Sequence, residues 1–408
     1  MWIAIRSAWP LFVGMVLLMV SNGLLSTILT IRAQEIGFSE TIIGFVQSGY
    51  PIGFIFSCFI TPRLIAQSGH VRVFAALVSI ASTSALVHLI TYDPYSWGAM
   101  RVLSGFCFSG IYIVAESWLN SLSDNKNRGS LLSTYFVVQT AGYMVGQMML
   151  GLSRPGEIGL FIFVSVLLSF ALVPILIAAT TQPSNDEPQR VTVVELFNFS
   201  PMAMIGGFAT GVANGGLVFV TALYARSVGL SVSATGYLLA VSTLGGLLLQ
   251  FPLGTLSDKI DRRLVIAGSA TVTLIVCLAM LLVPGAQTNT PSLFAGFLLL
   301  GGFTLPLYSI CMAHMNDHLK PQQLVAASST LVLVFAAGMV LGPIVGSITL
   351  DQFGANGMFM MYIVVAATLA GTGIHRILLS DKKIVDGRDI VPIASTITPE
   401  ATQIQMDD

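Results

Sequence analysis

Long apolar stretches recur along the whole of this sequence, and they restrict it to a chain that lies in a lipid bilayer. Of its 408 residues, 54% are apolar and 9% are charged, and the mean hydropathy is +0.84. A water-soluble domain of this composition would leave apolar surface exposed to water. Each stretch has about the 20 mostly apolar residues that a membrane-spanning helix needs. We therefore predict an all-α membrane protein of twelve transmembrane helices, centred near Val20, Gly53, Ile80, Phe108, Gly142, Leu168, Val212, Thr243, Val272, Phe303, Gly338 and Val365.

The distribution of Lys and Arg predicts which side of the membrane each loop occupies. Positively charged side chains collect in cytoplasmic loops because they resist translocation. With the N-terminus inside, fourteen of the 18 Lys and Arg residues fall in cytoplasmic segments. Three of the others, Arg32, Arg154 and Arg226, lie beside outer loops, and Arg101 lies inside an apolar stretch. The sequence thus predicts that both termini are cytoplasmic.

Internal repetition predicts that the helices form two bundles of six. Residues 37–39 (Gly-Phe-Ser) recur 192 positions later at 229–231 as Gly-Leu-Ser. Residues 142–146 (Gly-Tyr-Met-Val-Gly) recur 196 positions later at 338–342 as Gly-Met-Val-Leu-Gly. Ordered matches at nearly one offset indicate duplicated halves.

A polar break between the repeats sets the predicted domain boundaries. We expect an N-terminal bundle over residues 1–180, a cytoplasmic linker over 181–200 and a C-terminal bundle over 201–379. The linker is rich in Pro, Asn, Asp and Glu, as flexible connections are. Residues 380–408 contain no apolar run long enough to span a membrane, so we expect a disordered cytoplasmic tail.

A dense group of charges separates the eighth apolar stretch from the ninth. Residues 254–263 read Gly-Thr-Leu-Ser-Asp-Lys-Ile-Asp-Arg-Arg and resemble the signature loop of the major facilitator superfamily of transporters, with Asp261 in place of a glycine. The resemblance implies a role in switching between transport states for Gly254, Asp258, Lys259, Arg262 and Arg263. Gly254 is expected to allow close backbone approach. The equivalent loop of the first half keeps only Gly69 and Arg72. A plainer interpretation is that the charges only anchor the loop at the cytoplasmic surface.

The fourth apolar stretch carries charged and aromatic residues on one helical face. At about 100° per residue, this face presents Arg101, Gly105, Phe108, Tyr112 and Glu116. Arg101 and Glu116 are about 22 Å apart along the helix axis, so they cannot pair with each other. Charged residues within a membrane usually face a cavity or a partner. We predict that Arg101, Tyr112 and Glu116 act in ion coupling or in recognising substrate charge.

The start of this stretch, Arg-x-x-x-Gly, resembles the helix-four motif of proton-coupled antiporters, in which the arginine is associated with proton transfer. Two plainer interpretations stay open. Arg101 could form a structural ion pair with Asp93 in the neighbouring outer loop. Glu116 could be an interfacial acid that balances Lys126 or Arg128.

Further segments resemble the YcaD-like branch of the superfamily, whose members mostly have no assigned substrate. They are residues 115–120, 127–129, 142–147, 302–308, 323–326 and 342–343, together with His314. Residues 338–346 read Gly-x-x-x-Gly-Pro-x-x-Gly and resemble a motif that antiporters carry in the fifth helix. Here the motif falls in the eleventh stretch, and in the fifth stretch Gln147 stands in place of the proline. Small residues at this spacing allow close helix packing, which is the role expected for Gly142, Gly146, Gly338, Gly342 and Pro343.

Polar residues inside the other apolar stretches are candidates for the walls of a substrate cavity. They are Asn22, Gln47, Asn214 and Gln250; the alternative is that they form interhelical hydrogen bonds. His314 ends the tenth stretch, where a histidine could act in gating or proton transfer, or could simply be solvated.

Signatures of enzymes are missing, since the sequence has no H-E-x-x-H, G-x-S-x-G or phosphate-loop motif. The four cysteines lack metal-binding or disulfide spacing, and we expect no cofactor and no metal. We predict a monomeric secondary transporter of the bacterial inner membrane, with a small organic solute, protons and lipid as partners and no nucleic acid. The alternatives are an uncoupled facilitator, or a sensor or scaffold with the transporter fold.

Overall fold

The described part of the chain is helical throughout and contains no β-strand. The computed structural model describes residues 2–121, 128–152, 158–178, 200–317, 319 and 324–379. Its helices are α1 (Trp2–Glu35), α2 (Glu40–Ser68), α3 (His70–Ile90), α4 (Pro94–Ser121), α5 (Arg128–Met148), α6 (Ile158–Ala178), α7 (Pro201–Phe219), α8 (Thr221–Ser227), α9 (Val232–Lys259), α10 (Arg262–Leu282), α11 (Thr290–Thr304), α12 (Leu307–Asn316), α13 (Leu324–Phe353) and α14 (Asn356–Leu379).

Eleven helical segments of the described chain are long and apolar enough to cross a membrane. The predicted all-α membrane fold is therefore confirmed. Helix α5 forms over 21 residues but is not among the eleven, and its sequence includes several polar residues. The count of twelve spans and the cytoplasmic position of both termini remain predictions.

Two of the apolar stretches are each built from a longer and a shorter helix. The seventh stretch changes from α7 to α8 at Val220, and the tenth changes from α11 to α12 at Leu305 and Pro306. Pro306 has no N–H to continue the hydrogen-bonding ladder of α11. Phe219 lies at the first of these breaks.

The same pattern of helix packing occurs twice. In the first six helices, α2 packs on α4, α1 on α5 and α3 on α6. Among the later helices, α9 packs on α11, α7 on α13 and α10 on α14. Each of these pairs occupies the corresponding place in its half of the sequence.

Glycine contacts at the helix crossings repeat with the offsets found in the sequence. A Cβ added to Gly53 would overlap the carbonyl of Val102, and a Cβ added to Gly245 would overlap that of Leu298. These positions differ by 192 and 196 residues. The same two offsets relate the contact of Gly146 with Val20 to the contact of Gly342 with Val212. Backbone therefore meets backbone at equivalent points of both halves.

The two sets of helices meet along a seam formed by α2 with α13 and by α5 with α9. Across it, the Thr41 hydroxyl donates to Asp351 Oδ2 at 2.8 Å, and the Thr243 hydroxyl donates to Gln147 Oε1 at 2.9 Å. Gly44 lies against Ser347. These contacts involve the first parts of α2 and α9, so the seam is closed at that end.

The predicted boundaries between domains fall largely outside the described residues. Of the linker 181–200, only Ser200 is described; its hydroxyl accepts a hydrogen bond from the Ala203 N–H at 3.4 Å and caps α7. The tail 380–408 also lies outside the described part. The division at these boundaries remains a prediction.

Candidate functional site

Arg101 lies two turns into α4 and is completely buried. Its guanidinium carbon lies 4.6 Å from the ring centroid of Tyr50 and 5.5 Å from that of Phe219. Tyr50 belongs to α2 and Phe219 ends α7, so the cation contacts both sides of the seam. A desolvated cation–π contact contributes about 2 kcal/mol. No described residue accepts a hydrogen bond from Nε, Nη1 or Nη2.

The alternative pairing of Arg101 with Asp93 is not seen among the described residues. Asp93 Oδ2 instead accepts hydrogen bonds from the N–H of Ser96 at 2.8 Å and from its hydroxyl at 3.1 Å. Through these two bonds the Asp93 carboxylate caps the start of α4. The buried cation therefore obtains no compensation from this acid.

Asn22 and two tyrosines form a polar group beside the cation. The Asn22 amide donates to the hydroxyls of Tyr50 at 3.1 Å and Tyr112 at 3.2 Å. The Tyr112 hydroxyl donates to the sulfur of Met19 at 3.4 Å. Asn22 Oδ1 is buried and has no hydrogen-bond partner in the described chain. The structure thus brings together Asn22, Tyr112 and Arg101, three of the predicted site residues, through Tyr50.

Aromatic rings extend this arrangement along the predicted face of α4. The Phe108 centroid lies 6.2 Å from that of Tyr50 and 6.4 Å from that of Tyr112. Phe54 of α2 lies 6.2 Å from Tyr112. We refer to Arg101, Asn22, Tyr50, Tyr112 and Phe219 as the Arg101 site, with Phe54 and Phe108 as its aromatic wall.

Glu116 lies further along α4, and only 1% of its surface is exposed. The alternative, an interfacial acid that balances Lys126 or Arg128, stays open. Lys126 and the side chain of Arg128 lie outside the described residues. A carboxyl group at this depth is costly to charge unless its surroundings compensate it.

Among the described residues, the second half keeps the residue types of the polar pair, Asn and Tyr, but neither their mutual hydrogen bond nor the cation. Asn214 is equivalent to Asn22, and its amide donates to the Thr210 carbonyl at 2.8 Å. Tyr308 is equivalent to Tyr112, and its ring centroid lies 4.3 Å from that of Phe335. Applying the same offset to Arg101 leads to Phe297. The cation of the Arg101 site therefore has no counterpart at the equivalent position of the second half.

Two of the predicted cavity residues form hydrogen bonds between neighbouring helices. The Gln47 amide donates to Thr30 Oγ1 of α1 at 2.7 Å, and the Gln250 amide donates to Ser309 Oγ of α12 at 2.9 Å. These contacts match the interhelical interpretation of both residues.

The signature loop forms a network of ion pairs. Arg262 bonds Asp258 of α9 at 2.8 Å and Asp317, which follows α12, at 2.7 Å. Arg263 bonds Asp261 at 2.7 Å and also donates to the carbonyl of Arg376 at 3.2 Å. The loop therefore joins α9, α10, α12 and α14 at one end of the second half.

Asp261 has a structural role at the position where the family pattern has glycine. Its carboxylate accepts a hydrogen bond from the Arg263 N–H at 2.9 Å and caps α10. The hydrogen bonds from the Arg263 guanidinium are the main reason that the pKa of Asp261 lies below its ordinary value, and His314 contributes in the same direction. His314 is itself buried, at 7% exposure.

Among the described residues, Gly254, Lys259 and Arg72 take no part in this network of ion pairs. No atom of a neighbouring described segment lies within 4 Å of a Cβ built on Gly254, so the close approach predicted there stays a prediction. Lys259 and Arg72 are exposed. In the first half, Gly69 ends α2 with φ of 81°, a conformation that favours glycine.

Sequence reasoning missed the parts of the site that come from distant helices. Tyr50 and Phe219 lie in ordinary apolar segments, and neither has a local signal for contact with a cation. Gln147 did carry a signal, since it is the repeat equivalent of Pro343, and the backbone carbonyls of both residues face glycines across the seam. Its bond to Thr243 depends on packing between the halves.

The repeated helical pairs, the seam and the charged loop define a class of protein, the multi-pass transporters built from two similar bundles. The family model of the Major Facilitator Superfamily matches residues 11–224 and 203–389. The chain belongs to this superfamily.

Relatives with curated descriptions cover most of the chain. An uncharacterised MFS-type transporter of Enterobacter sp. (strain 638) is 27% identical over 365 residues, which are 88% of this chain and 93% of the relative. The uncharacterised MFS-type transporter YcaD of Escherichia coli O139:H28 is 27% identical over 360 residues, which are 87% and 92% of the two chains. The predicted resemblance is therefore confirmed, as is the prediction of a transporter rather than an enzyme.

Solved structures share the fold at low sequence identity. The nucleoside transporter NupG superimposes with a TM-score of 0.76 at 13% identity, covering 92% of this chain and all of that one. A bacterial homologue of the human lysosomal transporter Spinster, in an inward-facing and occupied conformation, gives a TM-score of 0.72 at 14% identity and covers 91% and 95% of the two chains.

Proposed function

We propose that this transporter moves a small organic solute by alternating access and that a proton gradient drives the movement. The observation that carries the proposal is the pair of buried ionisable side chains, Arg101 and Glu116, on one face of α4. Placing a charged side chain at the centre of a membrane costs about 2.5–3.5 kcal/mol on insertion scales. Such groups persist where they serve a solute or ion pathway.

The seam between the halves supports the alternating-access part of the proposal. Hydrogen bonds across it, from Thr41 to Asp351 and from Thr243 to Gln147, involve side chains that can separate without disturbing the backbone. With the N-terminus in the cytoplasm, the closed end faces outward. Rocking of one bundle against the other would open this end and close the opposite one.

Glu116 is the proposed proton carrier because its carboxyl group is buried and can be neutralised by protonation. His314 and the signature loop, with Asp258, Lys259, Arg262 and Arg263, would then bias the exchange between states. We propose an inner-membrane location and a monomeric transport unit.

Charge movement in proteoliposomes tests the coupling. Wild type, Glu116→Gln and Glu35→Gln would be adsorbed on a solid-supported membrane and exposed to pooled metabolites with and without an inward proton gradient. Glu35 is a matched control because it is a partly exposed acid, 3.4 Å from Arg32 at the end of α1. We expect a gradient-dependent current in wild type and Glu35→Gln, with at least a tenfold loss in Glu116→Gln.

Solute flux that is the same with and without the gradient would contradict the coupling and favour the uncoupled facilitator. A gradient-dependent current that persists in Glu116→Gln would remove Glu116 from the proton pathway while leaving proton-coupled transport intact.

A further inference from the structure

The guanidinium group of Arg101 is buried without the acceptors that arginine normally has in a protein interior. All three of its nitrogens lack a hydrogen-bond partner among the described residues. The ion pairs found in the described chain instead involve Arg32, Arg262 and Arg263. Arginine stays protonated in proteins, and a buried charge is normally paired and hydrogen-bonded. Arg101 therefore needs an acceptor from outside the described part of the chain.

We infer that this acceptor is the anionic group of the transported solute, so that the solute is an organic anion bound through Arg101. The inference rests on the proposed transport function and deepens it by naming the class of solute. A carboxylate suits the site because guanidinium offers two parallel N–H groups to its two oxygens.

Tyr50 and Phe219 hold the cation without using its hydrogen-bonding capacity. Their ring centroids lie 4.6 and 5.5 Å from the guanidinium carbon. Ring faces stabilise the positive charge through their quadrupoles but leave the N–H groups free for a stronger acceptor. The arrangement fixes a cation in place before a ligand arrives, which reduces the entropy lost on binding.

The neighbouring groups indicate the character of the rest of the solute. The aromatic wall, Phe54 and Phe108, packs against Tyr112. The ring centroids of Phe54 and Phe108 lie 6.2 and 6.4 Å from that of Tyr112. Asn22 adds an amide oxygen that is also without a partner in the described chain. An apolar or aromatic body beside one carboxylate matches this combination, since aromatic rings favour stacked or edge contacts at such separations.

The repeat limits the site to one strong positive charge. Phe297 and Ser242 replace the equivalents of Arg101 and Tyr50, whereas Asn214 and Tyr308 preserve the neutral pair. Phe297 packs with Tyr224 and Phe359 at centroid distances of 5.3 and 6.2 Å, in an apolar cluster. The site is thus built for a monoanion.

Ligand-induced stabilisation of the purified full chain tests the inference without requiring transport. The probes are benzoate, cinnamate and 1-naphthoate at 10 mM, a concentration that is on the order of 100 times the dissociation constant expected. Each acid is compared with its neutral amide, and benzylamine supplies a cation, all at constant ionic strength. We expect at least one acid to raise the unfolding temperature of wild type by about 3 °C, with no matching effect of its amide or of benzylamine.

Variants at Arg101 link the response to the site. The acid-specific rise should disappear in Arg101→Met and require at least tenfold more acid in Arg101→Lys, which keeps the charge but loses the planar fork. Arg226→Met is the control, because this exposed arginine binds only the Leu230 carbonyl in the described chain. It should keep the full response. Arg101→Lys keeps the test valid if Arg101→Met does not fold.

Acids that stabilise wild type no more than their amides, including no effect of either, would overturn the inference. So would an acid response that survives unchanged in both Arg101 variants. Proton-driven current with neutral solutes alone would also overturn it while leaving the proposed transport function standing.

Discussion

At the scale of single residues, Asp261 shows how a departure from a family pattern can be compensated locally. Glycine at this position would leave the first N–H groups of α10 without a side-chain cap. Asp261 supplies that cap and pairs with Arg263. Arg262 is then directed to Asp258 and Asp317, so the two adjacent arginines serve different partners.

The lowered pKa of Asp261 predicts how this pair responds to pH. A carboxyl group with a lower pKa in the folded protein stabilises the fold fully above its unfolded pKa, near 3.8, and loses this effect as pH falls further. In a His314→Gln background, which removes the charge of the neighbouring histidine, the difference in unfolding temperature between the Asp261 protein and its Asp261→Asn variant should therefore stay constant from pH 5 to pH 8. It should shrink only below about pH 4. Scanning fluorimetry across this range checks the prediction, and a difference that changes between pH 5 and pH 7 would contradict it.

At the scale of helices, close crossings inside each half depend on glycine facing backbone. Gly53 on Val102 and Gly245 on Leu298 repeat one crossing, and Gly105 on Tyr50 and Gly301 on Ser242 complete it from the other helix. Cores are packed at crystal-like density, so these crossings leave no space for a methyl group.

Replacing Gly53 with alanine should destabilise the protein, because the new Cβ would overlap the Val102 carbonyl. Overpacking typically costs about 1–3 kcal/mol. Gly268→Ala is the control, since no described atom lies within 4 Å of its Cβ, and alanine favours helix by up to about 1 kcal/mol. Unfolding temperatures in detergent should fall for the first variant and stay level or rise for the second. Equal behaviour of the two would argue against the close crossing.

At the scale of the whole molecule, the contact between the two halves combines glycine packing with side-chain hydrogen bonds. Gly44 and Gly236 face backbone carbonyls across the seam, as glycines do within each half. Across the seam, side-chain hydrogen bonds such as Thr41 to Asp351 and Thr243 to Gln147 supply part of the contact. A neutral hydrogen bond contributes about 0.5–1.5 kcal/mol and one to a carboxylate about 1.5–3 kcal/mol, so both would be able to break in the proposed rocking motion.

Cross-linking Thr41→Cys to Asp351→Cys should lock the seam and abolish solute flux. The matched control joins Ser82→Cys to Ser165→Cys, whose native hydroxyls lie 2.7 Å apart within the first half. Both pairs are placed in a background lacking the native cysteines and oxidised with copper phenanthroline. Flux in proteoliposomes should be lost in the first case, restored by reductant, and unaffected in the second. Undiminished flux through a fully cross-linked seam would exclude rocking at this end.

The sequence alone was sufficient for the membrane fold, the superfamily and the repeat, because hydropathy and spacing are local properties of the chain. It also placed Arg101, Tyr112 and Glu116 on one face of α4. It did not predict Tyr50 and Phe219 as partners of Arg101, since these contacts depend on three helices from both halves. The close approach expected at Gly254 is not seen among the described residues, and a motif does not specify which neighbouring helix is close.

Because Phe297 stands at the position equivalent to Arg101, only the first half of the described chain contributes a cation to the proposed solute site. A solute held by Arg101 has its strongest attachment to α4, and therefore to the first half. During the proposed rocking motion the solute would stay bound to the first half, while the second half moves relative to it and opens or closes access to the site. The two bundles, alike in architecture, would then have different roles: the first would bind the solute and the second would control access to it.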